Sequence, residues 1–317
     1  MQIHRDLDAL PRLRRPVLTI GSFDGVHLGH RSLLARIRDQ AAQLGGESVV
    51  VTFDPHPRHV VPGPAGPPLR LLTTTDEKIE RMRAEGIDHL VIVAFDRAFS
   101  RQTASAYLHD FLFGRFRPHT VVIGYDHRFG LGRSGDIELL RREAAAAGID
   151  VDEIPAHDVE RFAVSSTRIR RAVVAGRVRE AAGLLGYPYP LTGRVVAGEA
   201  IGRTIGFPTA NLDLDAPHKL LPADGVYAVR VEGLTTDRPL RAAGMLYIGE
   251  RPSLAGKRPR SIEVNLLDFD ADLYGQLLRV HVVDHVRDDR AFDSLDELRA
   301  QIMRDREATR AFLDATA

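Results

Sequence analysis

No cysteine occurs among the 317 residues. A disulfide framework is thereby excluded, and a zinc site would have to be built from histidines and carboxylates alone. Charge of one sign is not in excess either. Forty-three basic and 43 acidic side chains cancel, which argues against a generalised nucleic-acid surface. Lysine is scarce: Lys78, Lys219 and Lys257 are the only three, and the other forty basic residues are arginine. None stands in a G-x-x-x-x-G-K-[ST] segment, so a P-loop kinase is not expected. No apolar run approaches membrane-spanning length, and Met1 to Asp6 open no secretory apolar core. The expectation is a soluble cytoplasmic protein with neither nucleic-acid nor membrane partners. No internal repeat is visible, and nothing bears on oligomeric state.

What is present is ordinary globular composition, 44% apolar and 27% charged, at a length that accommodates two domains with their own cores. The two halves follow different periods. In the first, Val17–Ile20, Val49–Phe53, Leu90–Phe95 and Thr120–Ile123 read as strands covered on both faces. Helical segments lie between and after them: Thr74–Ala84, with Thr74 and Glu77 as a capping box, Ala104–Phe113, and Ile137–Ala147. That rhythm predicts an open parallel sheet with ligands at the carboxyl ends of its strands. Pro55–Pro68, rich in proline and glycine, reads as a loop. The character changes at Gly186-Tyr187-Pro188-Tyr189-Pro190. Beyond it, Leu191–Val196, Gly225–Val231, Ala243–Ile248, Ile262–Leu267 and Leu277–Val283 are short strands separated by turns, the pattern of an antiparallel barrel. A final helix is opened by Ser294 and Glu297, with Leu295, Leu298, Ile302 and Phe312 as its apolar face. The predicted domains are 1–186 and 187–317.

The most informative run is Thr19-Ile20-Gly21-Ser22-Phe23-Asp24-Gly25-Val26-His27-Leu28-Gly29-His30. It sets two imidazoles three residues apart where a strand gives way to a helix. Gly21, Gly25 and Gly29 allow a tight turn and close approach to a ligand. A helix N-terminus holds phosphate, and the histidines can donate hydrogen bonds to its oxygens as charge develops. By residue type alone the pair also fits a satisfied turn or a metal pair. Val164-Ser165-Ser166-Thr167-Arg168 places hydroxyls and an arginine at a helix start, which serves as a cap or a phosphate cradle. Gly202-Arg203-Thr204-Ile205-Gly206-Phe207-Pro208-Thr209-Ala210-Asn211 is a glycine-rich turn followed by small polar groups. It is compatible with an ordinary hairpin as well as a phosphate loop.

Together these segments resemble the bifunctional riboflavin kinase/FMN adenylyltransferases, and the likeness covers nearly the whole chain. His27 and His30 match the HxGH motif of the nucleotidyltransferase superfamily. Gly202–Asn211 is similar to the GRxxGFPTAN signature of riboflavin kinase domains. The resemblance implies an α/β fold: an open parallel-sheet, Rossmann-like nucleotidyltransferase domain, then a small antiparallel β-barrel kinase domain with a C-terminal helix. It implies that the C-terminal domain phosphorylates riboflavin to FMN with ATP and that the N-terminal domain adenylylates FMN to FAD.

The residues follow from the same likeness. His27 and His30 would stabilise the transferring α-phosphate, and Glu263 would activate the ribityl hydroxyl. Gly21, Phe23, Gly29, Ser166, Thr167 and Arg168 would bind ATP in the first domain, and Gly202, Gly206, Thr209 and Asn211 in the second. Thr209 and Asn211 would hold Mg²⁺, a hard ion that suits oxygen ligands. His56, in Phe53-Asp54-Pro55-His56-Pro57, Asp126, in Gly124-Tyr125-Asp126-His127, and Tyr247 would contact flavin. Four positions depart from the family pattern: His127 stands for phenylalanine, Tyr247 for asparagine, Ser253 for threonine, and Asn265 for a histidine two residues beyond the catalytic carboxylate. Two alternatives stay open on sequence alone: a monofunctional adenylyltransferase with an impaired kinase domain, and a flavin-binding regulator.

Overall fold

Valine- and isoleucine-rich runs of four to seven residues have no polar face to offer solvent, so they require cover on both sides. The computed structural model describes residues 1–61, 68–124, 127–154, 165–198, 202, 206–235, 240–249 and 260–315, and divides into two compact units, Met1–Ser166 and Thr167–Ala317. In the first, strands β1 (Gln2–His4), β2 (Val17–Ile20), β3 (Ser48–Asp54), β4 (His89–Ala94), β5 (Thr120–Gly124) and β6 (Asp150–Ile154) form one sheet in the order β1-β4-β3-β2-β5-β6. Every pair is parallel. The chain runs outward from β2 through β3 to β4, then returns to β5 on the other side of β2. That reversal makes the β2/β5 crevice the topological switch point.

Alternate residues of each strand serve opposite faces. Leu18, Val49, Val51, Val91 and Val121 pack with Tyr107, Leu108, Phe111 and Leu140. Val17, Val50, Leu90, Ile92 and Val122 pack instead against helices α1 (Leu28–Gln43) and α2 (Thr75–Ala84), through Leu34, Ile37, Ile79 and Met82. The capping box of α2 is formed as predicted, with Thr74 and Glu77 each accepting from the other's backbone N–H. The segment expected as a helix over Ala104–Phe113 is helical, but Tyr107–Phe113 is wound as a π-helix. The proline-rich tract contains one helical turn, Pro57–Val60, so it is not all loop. Strands β1 and β6 escaped the sequence reading because neither has a fully buried residue to leave an apolar pattern. Helix α3 (Ile137–Ala146) completes this unit.

The second unit opens with α4, whose first residue Ser166 is the last of the first unit (Ser166–Val174), and α5 (Val178–Leu185). Strands β7 (Tyr189–Val196), β8 (Ala210–Asp213), β9 (Gly225–Gly233), β10 (Arg241–Gly249), β11 (Ser261–Leu266) and β12 (Leu277–Asp288) close into an antiparallel barrel in the order β10-β11-β8-β7-β12-β9. Five of these strands are predicted ones. The sixth, β8, begins at the end of the segment that read as a turn followed by polar groups and runs two residues beyond it, and it pairs with both β7 and β11.

Helix α6 (Leu295–Asp314) ends the chain. Its cap differs from the predicted box: Ser294 accepts from the Glu297 N–H, but the Glu297 carboxylate reaches Asp293 instead of Ser294. Leu295 is no part of its apolar face, being 62% exposed. The buried positions are Asp305, Thr309 and Leu313, four residues apart, and Leu295 in the first turn lies off that stripe. Among the described residues no helix is long and apolar enough to cross a membrane.

Candidate functional site

The strand β2 ends at the switch point, and the chain must turn there into α1 within seven residues. Gly25 takes a left-handed φ of 86°, as its residue type permits, but Phe23 and Val26 are left-handed too, at 48° and 34°. Such backbone costs about 1–3 kcal/mol per residue and persists only where surroundings over-determine it. Here Phe23 and Val26 are both sequestered in the core. The neighbouring Asp24 is buried as well, and its carboxylate accepts from the N–H groups of Leu72 (2.9 Å) and Thr73 (3.1 Å) and from the Thr73 hydroxyl. Gly21 underlies the Phe23 ring, and Gly29 is helical, so neither supplies left-handed backbone.

This turn delivers the two histidines. His27 is the N-cap of α1, its Nδ1 accepting from the His30 N–H at 3.3 Å. An accepting Nδ1 assigns the proton of the neutral ring to Nε2, which is thus a donor. The rings stack with centroids 3.6 Å apart and 15° between planes, and the Phe23 edge meets His30 at 5.1 Å. Burial, then the neighbouring His27 and Lys78, hold the His30 imidazole well below its ordinary range, so it is uncharged at neutral pH. Its Nδ1 is buried without a hydrogen-bond partner among the described residues. An unpaired buried ring nitrogen beside a helix N-terminus suits an acidic ligand better than a satisfied turn.

Asp24→Ala would take the carboxylate acceptor away from two buried N–H groups and a hydroxyl. The expected cost is about 2–4 kcal/mol of stability in the first unit, with Asp24→Asn losing less because it keeps an acceptor. Urea denaturation followed by circular dichroism measures it, and a loss under 1 kcal/mol would mean that water satisfies these groups.

Ser166 does not precede its helix as a cap but begins it, and its hydroxyl donates to the Asp24 carbonyl at 3.0 Å, tying the histidine turn a second time. Thr167 and Arg168 are exposed, and the Arg168 guanidinium lies 3.7 Å from Glu180. His56 is half-buried and caps the turn at Pro57, its Nδ1 accepting from the Arg58 N–H. Asp126 and Ser253 lie outside the described residues.

In the barrel, the glycines of the GRxxGFPTAN-like segment have distinct reasons. The Gly202 carbonyl accepts from the Phe207 N–H at 2.7 Å, and a Cβ on Gly202 would collide with the Phe207 carbonyl. Gly206 has a φ of +85°. Thr209 directly precedes β8, and pairing sets Asn211 of β8 directly opposite Glu263 of β11. The Glu263 carboxylate is 6% exposed and accepts from Thr209 Oγ1 at 3.1 Å and Ser261 Oγ at 2.6 Å.

Tyr247 of β10 lies opposite Glu263 on the other side, and its hydroxyl donates to Asp289 at 3.3 Å. Burial, reinforced by Asp289, pushes the phenol up to about 12. Asn265 donates to the Pro208 carbonyl at 2.7 Å, bracing the loop. A cavity of about 300 Å³, bordered by Thr209, Met245, Tyr247, Glu263, Phe292 and Ile302, opens beside the carboxylate. A smaller one of about 90 Å³ shares Thr209 and runs along Phe269 to Tyr274.

Sequence reasoning found the histidines, Thr209, Asn211 and Glu263, which the structure gathers into two clusters, one per unit. It missed the contacts around them: Thr73 on Asp24, Ser261 on Glu263, Asp289 on Tyr247 and the buried Lys78 on Thr52. Thr73 and Asp289 carry no local signal, since they meet Asp24 and Tyr247 across 49 and 42 residues; Ser261 lies two residues before Glu263 on the same strand, where sequence alone does not show which group its hydroxyl meets.

Residues 10–168 match the FAD synthetase family and residues 185–313 the riboflavin kinase family. The chain is 40% identical over 300 residues, covering 95% of this chain and 93% of the relative, to the bifunctional riboflavin kinase/FMN adenylyltransferase of Escherichia coli K12. Its identity to the protein of that name from Haemophilus influenzae is 35% over 316 residues, covering 99% and 100%. A crystal structure from Streptococcus pneumoniae, described as a macrolide-efflux protein, shares the fold with a TM-score of 0.84 at 32% identity, over 98% of both chains. Two domain families in the same order, and relatives matched almost end to end, lead to one assignment: the chain belongs to the bifunctional riboflavin kinase/FMN adenylyltransferase family.

Proposed function

We propose that this chain makes FAD in two steps at two separate centres, with 1–186 as the FMN adenylyltransferase domain and 187–317 as the riboflavin kinase domain. Riboflavin and ATP give FMN and ADP at the barrel; FMN and ATP give FAD and pyrophosphate at the sheet. The observation that carries the reading is that each unit assembles its own polar cluster, the stacked histidine pair at the switch point and the Thr209–Glu263 pair between two cavities.

At the sheet, a flavin phosphate oxygen attacks the α-phosphorus of ATP and pyrophosphate departs. No covalent enzyme intermediate is required, so the work is alignment and charge stabilisation. His27, donating from Nε2, and His30 meet the triphosphate at the N-terminus of α1. Gly21, Phe23 and Gly29 shape that turn, Ser166, Thr167 and Arg168 supply further phosphate contacts, and His56 and Asp126 contact the flavin.

At the barrel, Glu263 takes the proton of the ribityl hydroxyl as its oxygen bonds to the γ-phosphorus and ADP leaves. The larger cavity suits the isoalloxazine and ribityl chain, with Tyr247 on its wall. The smaller one, together with Gly202 and Gly206, takes the nucleotide. The Thr209 hydroxyl and Asn211 carboxamide, set beside a carboxylate, are hard oxygen donors that fit Mg²⁺. When bound, that ion neutralises charge on the phosphate oxygens. A cytoplasmic setting supplies all these small-molecule substrates.

Chromatography of flavins after incubation with riboflavin, ATP and Mg²⁺ tests the reading. Both FMN and FAD are expected. FAD from supplied FMN, with riboflavin untouched, would mean that Tyr247 and Asn265 have disabled the barrel. No product from either flavin would leave a binding protein.

A further inference from the structure

Lys78 is a buried cation that the adenylyl-transfer scheme does not use. It stands on α2 with 6% of its surface exposed, in a chain that has arginine at forty of 43 basic positions. Its Nζ donates to Thr52 Oγ1 at 3.2 Å, and the Thr52 hydroxyl donates in turn to the Ser22 carbonyl at 3.2 Å. On the other side, Asp24 of the same turn is bound by Leu72 and Thr73, immediately before α2. The left-handed turn is therefore enclosed by a polar circuit that starts at Asp24, passes through α2 and Lys78, and returns through Thr52 to Ser22. An ammonium has three donors and is costly to bury with one acceptor, as here among the described residues. Burial lowers its proton affinity, while the carboxylates of Asp24 and Asp54 oppose that loss. The charge kept there acts on His30.

We propose that Lys78 is a positioning residue of the adenylyl-transfer centre: anchored on Thr52, its ammonium sets the electrostatic field in which His27 and His30 meet the triphosphate. The inference rests on the adenylyl-transfer reading above. Among the described residues the charged and titratable groups that act on His30 are His27 on its own turn and Lys78 on α2; Asp24 on the turn and Asp54 at the end of β3 act in turn on Lys78. Burial, His27 and the Lys78 ammonium all disfavour a charged His30, so His30 enters the reaction as a neutral donor. Phosphate charge then arrives against the ammonium, whose charge the carboxylates of Asp24 and Asp54 support.

The test is Lys78→Met in the full chain, which keeps the length of the side chain and removes its charge. Loss of the cation raises the His30 midpoint, followed by NMR of the imidazole Cε1–H, by about one pH unit. The acid limb of kcat/KM for FAD formation moves up with it, and the rate at neutral pH falls about tenfold or more. Lys78→Arg, which restores charge, brings the midpoint back towards wild type. Riboflavin phosphorylation by the same variants is unchanged, and thermal unfolding followed by circular dichroism, which sees both units, reports that the first unit is folded. Thr52→Val, which removes only the anchor, shifts the midpoint in the same direction by less, and decides the matter if Lys78→Met does not fold. A wild-type His30 titration and pH profile in the folded charge-removing variant, or in Thr52→Val should that one alone fold, would overturn the proposal and leave Lys78 a packing residue. If His30→Asn instead makes FAD at the wild-type rate, the adenylyl-transfer reading itself has failed. An inactive His30→Asn beside an unshifted Lys78→Met removes the role of Lys78 alone.

Discussion

Glu263→Gln is expected to slow riboflavin phosphorylation by about 10²–10⁴-fold while FMN adenylylation by the same molecule proceeds unchanged. The carboxylate is buried in the barrel, with one oxygen accepting from Thr209 and the other from Ser261. Both hydroxyls orient it, and the cavity beside it is where a substrate hydroxyl would bring its proton. Glutamine keeps the volume but has no negative charge and no place for that proton. It also presents an NH₂ to one of two hydroxyls that now donate, so the local network must rearrange. Glu263→Asp keeps the charge and withdraws it by about one bond length, so an intermediate loss is expected. Release of ADP from riboflavin and ATP measures the first effect, and FAD formation from FMN is the internal control. A Gln variant retaining more than about a tenth of the wild-type rate would reduce Glu263 to an organiser of Thr209, since orientation alone survives the substitution.

The second large effect falls on the other unit. His30→Asn is expected to lower kcat for FAD formation by about 10²–10³-fold, with KM for ATP changed little, because the lost hydrogen bond strengthens only as charge develops on the phosphate. His27→Asn separates two roles of one ring. Asparagine is a good N-cap, so it replaces the acceptor that His27 offers the His30 N–H and leaves α1 intact. What it removes is the Nε2 donor and the stacked partner of His30. A loss similar to that of His30→Asn would assign the effect to chemistry. Wild-type kcat in His27→Asn, with lost activity and stability in His27→Ala, would make His27 a structural cap. In both variants riboflavin phosphorylation continues, since nothing in the barrel is altered.

Much of this was legible before any coordinates. A strand buried on both faces must be apolar along its length, so β2 to β5 announce themselves, and capping chemistry marks the start of α2. The two signatures are local strings whose glycines and histidines have reasons within a few residues. The misreadings share a cause in their turn. Strands β1 and β6 have no fully buried residue, and β8 is four residues long, so each exists because neighbours offer a paired edge. Leu295 is apolar at a helix start that faces solvent, which periodicity alone cannot show.

By itself, the sequence determined the class of each half, the rhythm of the parallel sheet, most strands of the barrel and the residue types at both centres, because these follow from local period and side-chain chemistry. Tertiary structure decided the rest. It chose left-handed backbone at Phe23 and Val26, where glycine would be expected, because core packing and the ties of Asp24 outweigh the local penalty. It joined Glu263 to Thr209 across 54 residues and Lys78 to Thr52 across 26. A carboxylate or an ammonium reads in a sequence as a solvated charge; only the fold shows that water has been taken from it and which hydroxyl stands in water's place.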